Sequence, residues 1–327
     1  MQATAEAQPN IALVKYWGKR DDGLNLPAAG SLSITLDALH TRTRVRFDDA
    51  LAADDISLNG ERDESQSRKI SAFLDLFRSC ARVQTRARVE SANDFPTGAG
   101  LASSASGFAA LAVAADHALR LGLDQRELSI LARRGSGSAA RSIFGGFVEM
   151  AAGTRDDGTD AFATPLLDAA AWPLKVVVAI TTREKKAVSS RVGMDHTQST
   201  SPFYRDWIAT VPGDLAAARD AVRDHDFEKL AYTSEASCLA MHAVMLSARP
   251  GLVYWNAATV DCIRRIRALQ AEGVAAFFTI DAGPQVKAVC LPDHAARVAD
   301  ALRGVGGVEN VLVSGLGAGA RITGTGT

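Results

Sequence analysis

The sequence predicts a chain of mixed helix and strand, built in two parts, with a ligand loop in the first. Three observations carry this. Residues 41–47 alternate strictly, with Arg42, Arg44 and Arg46 on one face and Thr43, Val45 and Phe47 on the other, the period of a strand. Within residues 63–80, Ile70, Phe73, Leu74 and Phe77 recur at i, i+3, i+4 and i+7, one apolar stripe of a helix. Residues 95–107 are crowded with glycine, alanine and serine and run directly into the alanine-rich, helix-favouring segment 109–119.

That third stretch has a chemistry of its own. Gly98 and Gly100 let a backbone turn tightly and approach a ligand. Ser103 and Ser104 sit where a helix would begin, and serine is a favoured N-cap. Unpaired N–H groups and the positive dipole end make such a helix start an anion site. The lysine of a Walker A loop is absent, and two glycines fit the dinucleotide fingerprint only loosely. A capped glycine-rich turn without a ligand is the plain alternative.

The chain has 327 residues, enough for two domains or one large one. A net charge of −1 creates no long-range field for nucleic acid or a membrane surface, so neither partner is expected. The four cysteines, Cys80, Cys238, Cys262 and Cys290, are scattered without a Cys-x-x-Cys pair, which argues against structural zinc. Free thiols fit a reducing compartment. Residues 1–9 lack the basic and apolar regions of a signal peptide, and no long uncharged apolar run predicts a membrane span. A cytoplasmic protein is expected.

In order, strands are predicted at 10–16, 33–36, 41–47 and 86–90, with the helix 63–80 between the last two. The arginine face of 41–47 is read as a solvated sheet face, since no aromatic residue interleaves it. Helices follow at 109–119 and 125–134, then strands at 147–150 and 174–180, with a turn at 153–160. The domain boundary is placed where Arg183, Lys185 and Lys186 cluster, giving domains 1–182 and 183–327. The second part begins with helical segments 214–224, 227–246 and 255–272. Strands 275–280 and 286–291, helix 293–303, strand 308–313 and a glycine-rich tail complete the chain.

Four charged positions invite a functional reading. Lys15 lies in an otherwise apolar segment: it is a snorkelling surface residue or the partner of a buried carboxylate. Arg141 stands in a second small, hydroxyl-rich loop, 135–146, where an arginine fork would suit phosphate. Asp281 follows an apolar strand and opens a Gly-Pro turn. It either bonds its own turn or presents a carboxylate into a cleft. Arg68 lies off its helix's apolar stripe, where surface salt-bridging is the default. The six histidines show no metal spacing, and His242 reads as a packing or hydrogen-bonding residue rather than a ligand.

Taken together, these residues resemble a family. Residues 10–21, Asn-Ile-Ala-Leu-Val-Lys-Tyr-Trp-Gly-Lys-Arg-Asp, strongly resemble the N-terminal signature of the diphosphomevalonate decarboxylases. So do residues 95–107, 135–146 and 281–284, with weaker likeness at 185–194, 241–242 and 250–256. The 95–107 loop resembles the phosphate loop of the wider GHMP kinase superfamily. The Lys15-to-Arg20 run is the more specific, since it separates the decarboxylases from sugar and mevalonate kinases. The resemblance covers nearly the whole chain.

The resemblance implies an α+β GHMP kinase fold: an N-terminal ribosomal-protein-S5-like domain, a C-terminal ferredoxin-like α/β domain, and an active site in the cleft between them. It implies ATP with Mg²⁺ held largely through phosphates and water, mevalonate 5-diphosphate as substrate, and a homodimer. The implied reaction phosphorylates the C3 hydroxyl, then loses phosphate and carbon dioxide to give isopentenyl diphosphate. Asp281 would orient or deprotonate that hydroxyl, and Lys15 would keep Asp281 ionised beside the transferring phosphoryl. Ser104 would touch the ATP phosphates. Arg141 would hold the substrate carboxylate with Ser138 close by, and Tyr16, Lys19, Arg68 and Ser136 would bind the diphosphate end. Asn93, Gly98, Gly100, Leu101, Ala102, Ser103, Ser104 and Ser106 would line the nucleotide.

Three departures stand out. Ala28-Ala29-Gly30 replaces Thr-Asn-Ser of the eukaryotic members, Gln285 replaces an asparagine, and Ala140 replaces a cysteine. Alternatives within the superfamily are a decarboxylase of mevalonate 5-phosphate and a C3-hydroxyl mevalonate kinase. An inactive ATP-binding protein is the non-enzyme alternative.

Overall fold

The computed structural model describes residues 1–95, 103–184 and 186–326. In chain order the elements are β1 (Gln2–Ala7), β2 (Asn10–Val14), β3 (Lys19–Asp21), β4 (Leu26–Pro27), β5 (Ser31–Thr35), β6 (Thr41–Phe47) and β7 (Asp55–Leu58). Next come α1 (Glu64–Ala81), β8 (Ala87–Asn93), α2 (Ser103–Leu119), α3 (Gln125–Gly135), α4 (Ala139–Ser142), β9 (Phe147–Met150) and β10 (Ala163–Leu167). Then follow β11 (Lys175–Ile180), α5 (Ser190–Thr200), α6 (Tyr204–Asp224), α7 (Phe227–Leu246) and α8 (Ala257–Ala271). The chain closes with β12 (Ala276–Ile280), β13 (Val286–Cys290), α9 (Ala295–Arg303), β14 (Asn310–Ser314) and β15 (Arg321–Gly326).

Among the described residues these strands form three main sheets, ordered β15-β1-β6-β8-β7, β10-β9-β5-β2 and β12-β13-β11-β14. Local chemistry accounts for the predicted elements. β6 buries Thr43, Val45 and Phe47 and leaves Arg42, Arg44 and Arg46 exposed, as its alternation requires. Asp63 caps α1 by accepting from Gln66 N at 2.7 Å. The alanines of α2 let it lie buried against β1 and β6 in the first core. Asp124 and Glu127 close a capping box on α3.

β11, which the sequence places before the boundary at 182, pairs with β13 and β14 in the third sheet. Sheet membership therefore switches between β10 and β11. The glycine-rich tail holds a strand, since β15 returns to pair with β1. Both strands of that pair carry alanine, threonine or glycine at most positions, so neither shows a strong apolar alternation.

The site depends on how the second and third sheets meet. β2, with Lys15 just past its end, packs on α7 and reaches β12: Thr279 Oγ1 donates to Ala12 O at 3.0 Å, and Lys15 N to Ser237 Oγ at 3.1 Å. The turn after β2 depends on Gly18, at φ +118°, where an added Cβ would fall 1.7 Å from the Tyr204 hydroxyl. Backbone conformation and contact both exclude a side chain there. Gly18→Ala is expected to destabilise the fold by roughly 3 kcal/mol in urea titration. An unchanged denaturation midpoint would contradict this account of the turn.

Candidate active site

Asp281 lies one residue beyond β12, about a quarter exposed. Lys15 Nζ donates to its Oδ1 at 2.8 Å, and Lys287 Nζ, from the interior strand β13, stands 3.4 Å from its Oδ2. Both lysine side chains are only 1% exposed. Lys15 Nζ also donates to Ala12 O at 2.8 Å. Burial alone would raise the Asp281 carboxyl, but the charges of Lys15 and Lys287 overcome it and hold the group well below the usual aspartate range. Burial pushes the Lys287 ammonium down, with Asp281 opposing. Lys186 completes this corner, its Nζ donating to Ser190 Oγ at 2.6 Å and Ala282 O at 3.0 Å. Burial lowers its pKa to about 8, Asp281 opposing and Lys287 assisting. His242 is pushed down to about 3 by burial and by Lys15, so it is neutral; its Nε2 accepts from Trp255 Nε1 at 3.3 Å.

Arg141 is equally buried, on the short α4. Its Nε donates to Asn10 Oδ1 at 3.3 Å, and its Nη1 donates to Ser31 Oγ. Asn10 Nδ2 in turn donates to Ser138 O at 3.0 Å and Ser142 Oγ at 2.8 Å. Burial lowers the guanidinium's pKa to about 10, opposed by Tyr16 and Asp281. Among the described residues no carboxylate forms an ion pair with it; Asn10 and Ser31 set its fork. The Tyr16 ring lies 6.0 Å from the Arg141 guanidinium. The Tyr16 hydroxyl is buried with no hydrogen-bond partner among the described residues, and burial pushes its pKa up to about 12, Arg141 and Arg191 opposing. Gly137 makes room for it: a Cβ there would fall 2.2 Å from that hydroxyl. A chain of hydroxyls runs alongside, Ser104 to Ser136 at 3.2 Å and Ser136 to Ser138 at 3.3 Å.

A pocket lined by Gly23, Lys69, Phe73, Arg134, Gly135 and Arg191 adds a third group of charges. Lys69 is pushed down by burial, then by the charges of Arg191 and Lys19. Three cations close enough to oppose one another's charge make a place for an anion. Lys19 Nζ holds Asp22 at 3.1 Å, and Arg191 Nη2 donates to Asn25 Oδ1 at 3.3 Å.

The expected residues fall into distinct places. Lys15 and Asp281 meet; Tyr16, Arg141, Ser136, Ser138 and Ser104 form one neighbourhood; Lys19 belongs to the cation group. Arg68 stands apart, 77% exposed and 3.8 Å from Glu64, while its neighbour Lys69 lines the pocket. Ser103 opens α2 as expected of a helix start. Ser106 is fully buried and shares a 2.6 Å bond with Thr41 Oγ1, which also donates to Asn93. Gly98, Gly100, Leu101, Ala102 and Lys185 lie outside the described residues. Gln285 ties the chain crossing together, accepting from Thr181 N and donating to Thr182 O, each at 2.6 Å. Among the described residues no group of three or more His, Cys, Asp or Glu gathers to hold a metal.

Lys69, Lys186, Arg191 and Lys287 were not singled out by sequence reasoning as site residues. Lys287 did carry a signal, a lone lysine between Val286 and Ala288 in an apolar strand. The others look like ordinary helix-surface or loop cations.

Residues 7–163 match the model of the diphosphomevalonate decarboxylase-like N-terminal domain, and residues 176–313 that of the mevalonate 5-diphosphate decarboxylase C-terminal domain. The diphosphomevalonate decarboxylase of Candida albicans is 39% identical over 297 residues, 86% of this chain and 82% of that protein. The mevalonate diphosphate decarboxylase of Staphylococcus aureus superposes at TM-score 0.93 and 38% identity, over 99% of this chain and 98% of that one. A solved complex of MDDEF with MVAPP, AMPPCP and magnesium superposes at TM-score 0.92 and 40% identity, over 99% of both chains. The chain belongs to the diphosphomevalonate decarboxylase family and has its α+β GHMP kinase fold.

Proposed function

We propose that this chain catalyses the ATP-dependent decarboxylation of mevalonate 5-diphosphate to isopentenyl diphosphate, ADP, phosphate and carbon dioxide. The observation that carries the reading is one ionised carboxylate gripped by buried lysines beside a separate group of cations, with Tyr16 feeling charge from both sides. The MDDEF relative binds MVAPP, AMPPCP and magnesium, which supports the same ligand classes here.

The substrate is a saturated 3-hydroxy acid with no adjacent electron sink. Its C3 oxygen must leave before carbon dioxide does. Transfer of the ATP γ-phosphoryl makes that oxygen a leaving group. As phosphate departs, positive charge develops at C3, the C–CO₂ bond electrons form the alkene, and carbon dioxide leaves. Asp281 orients the C3 hydroxyl, while Lys15 balances charge on the carboxylate and the arriving phosphoryl. Arg141, pre-set by Asn10 and Ser31, takes the substrate carboxylate with Ser138. Tyr16, Lys19, Ser136, Lys69 and Arg191 hold the diphosphate; Arg68 would need to swing across to join them. Ser104 and the start of α2 meet the nucleotide phosphates. Mg²⁺ would supply charge neutralisation when bound, carried largely through the phosphates and water.

We place the lobe division between β10 and β11, with β15 returning to the first lobe. A cytoplasmic setting is consistent with three buried free cysteines and with no described helix long and apolar enough to cross a membrane. A homodimer is supported by α7, whose exposed face carries Tyr232, Ala236, Leu239, Ala243 and Leu246 at 4-3-4-3 spacing. Such a seam suits a second helix, and alanines seven residues apart allow close approach. Leu239→Glu is expected to convert a dimer to monomer in sedimentation; a dimer of undiminished affinity would move the interface elsewhere.

The deciding experiment offers Mg-ATP with mevalonate, its 5-phosphate or its 5-diphosphate and follows ADP and carbon dioxide together. Equal release of both, with the diphosphate alone, is expected, and Asp281→Asn is expected to lose about 10²–10⁴-fold in turnover. ADP without carbon dioxide would make the protein a kinase. Arg191→Met is expected to raise KM for the diphosphate substrate about 10–100-fold with little change in kcat. An unchanged KM would remove the cation pocket from substrate binding.

A further inference from the structure

Lys287 occupies a position that strand geometry reserves for an apolar side chain. On β13, Val286, Ala288 and Cys290 face the third core, while Lys287 and Val289 face the opposite side. β13 is interior, paired with β12 and β11. Lys287 is directly opposite Thr279 on β12 and Val178 on β11. An ammonium in such a place is costly unless a charge meets it. Asp281 does so, through the oxygen that Lys15 does not take.

We infer that Lys287 is a positioning residue for the reaction: with Lys15 on Oδ1 and Lys287 at Oδ2, the Asp281 carboxylate is fixed between two ammonium groups and kept ionised while a polyanionic phosphoryl donor is brought beside it. This rests on the active-site reading above and deepens it. With both oxygens engaged, the carboxylate cannot rotate about its Cβ–Cγ bond without breaking a charge contact. One lysine would leave Oδ2 without that restraint. The second positive charge also offsets the donor's negative charge, which would otherwise favour protonation of Asp281. The other titratable groups sensing Asp281 are Lys186 from the loop before α5, Arg141 on α4, and His242 and Cys238 on α7. Among the described residues Lys287 is the cation at Oδ2; His242 is neutral, and Lys186 donates to Ser190 and Ala282.

The test is the pH dependence of kcat/KM for Lys287→Met, with Lys287→Gln as a second variant. Retained folding by circular dichroism and retained nucleotide affinity are expected. The acid limb should move up by at least one pH unit, with turnover on that limb down about 10-fold or more and recovered on raising the pH toward neutral. A uniform loss at every pH with the limb unmoved would reduce Lys287 to a packing residue and overturn the inference. Should neither variant fold, the wild type decides. Its ¹³C-labelled Asp281 carboxyl, followed with a non-hydrolysable ATP analogue bound, is expected to stay ionised throughout pH 5–8. Protonation within that window would refute the two-lysine clamp. The resonance needs no turnover, so it separates failure of this inference from failure of the assigned reaction.

Discussion

The structure depends on a carboxylate that is forced to be where it is. Lys15 directly follows a fully buried strand of the second sheet, and Lys287 lies within a strand of the third. Neither reaches bulk water, so each needs a counter-charge within a few ångströms. Asp281 is the carboxylate both reach, and it can serve them only if β2 and β12 are brought end to end. The backbone then follows: Ala12 O accepts from both Lys15 Nζ and Thr279 Oγ1, and Lys15 N is taken by Ser237 on α7. A polar requirement thereby fixes the registry of two sheets that apolar packing alone would leave freer to slide.

That constraint also leaves the cleft with surplus positive charge. Around Asp281 stand Lys15, Lys287 and Lys186, with Arg141 close enough to feel it. Toward the other end, Lys69, Lys19 and Arg191 oppose one another. Desolvated like charges are unfavourable without an anion, and a bound polyanion relieves them. The same cations that would recognise a diphosphate and a triphosphate thus make ligand binding stabilising for the fold. Lys186, with a pKa lowered to about 8, is the cation most easily strengthened by such an anion.

How much of this was legible in the sequence follows from which signals are local. β6, α1 and α7 carry their faces in residue spacing, and their predicted and observed spans agree closely. Lys15 and Asp281 were legible because charge interrupts or ends an apolar strand. The same rule applies to Lys287, six residues after Asp281, where a lone charge sits between Val286 and Ala288. β1 and β15 were hidden by alanine, threonine and glycine, whose weak hydropathy contrast blurs alternation. Lys69 and Arg191 were illegible in principle: a helix-surface cation reveals a pocket only after α1, α3 and α5 have been placed around it. Arg68 shows the converse, since adjacent helix residues point about 100° apart and of the two Lys69 lines the pocket.

The arrangement bears on which step the protein has to promote. Asp281 is held so firmly ionised that it is a weak proton acceptor, because a strongly depressed pKa means little affinity for a proton. Its two lysine contacts serve orientation and charge balance better than proton abstraction. Such a site suits a phosphoryl transfer whose transition state is loose, in which the hydroxyl proton is released late and the demand is for alignment with the donor. Once the C3 oxygen carries phosphate, the surrounding cations favour its departure as an anion. The positive charge then developing at C3 would lie beside a carboxylate that cannot move away.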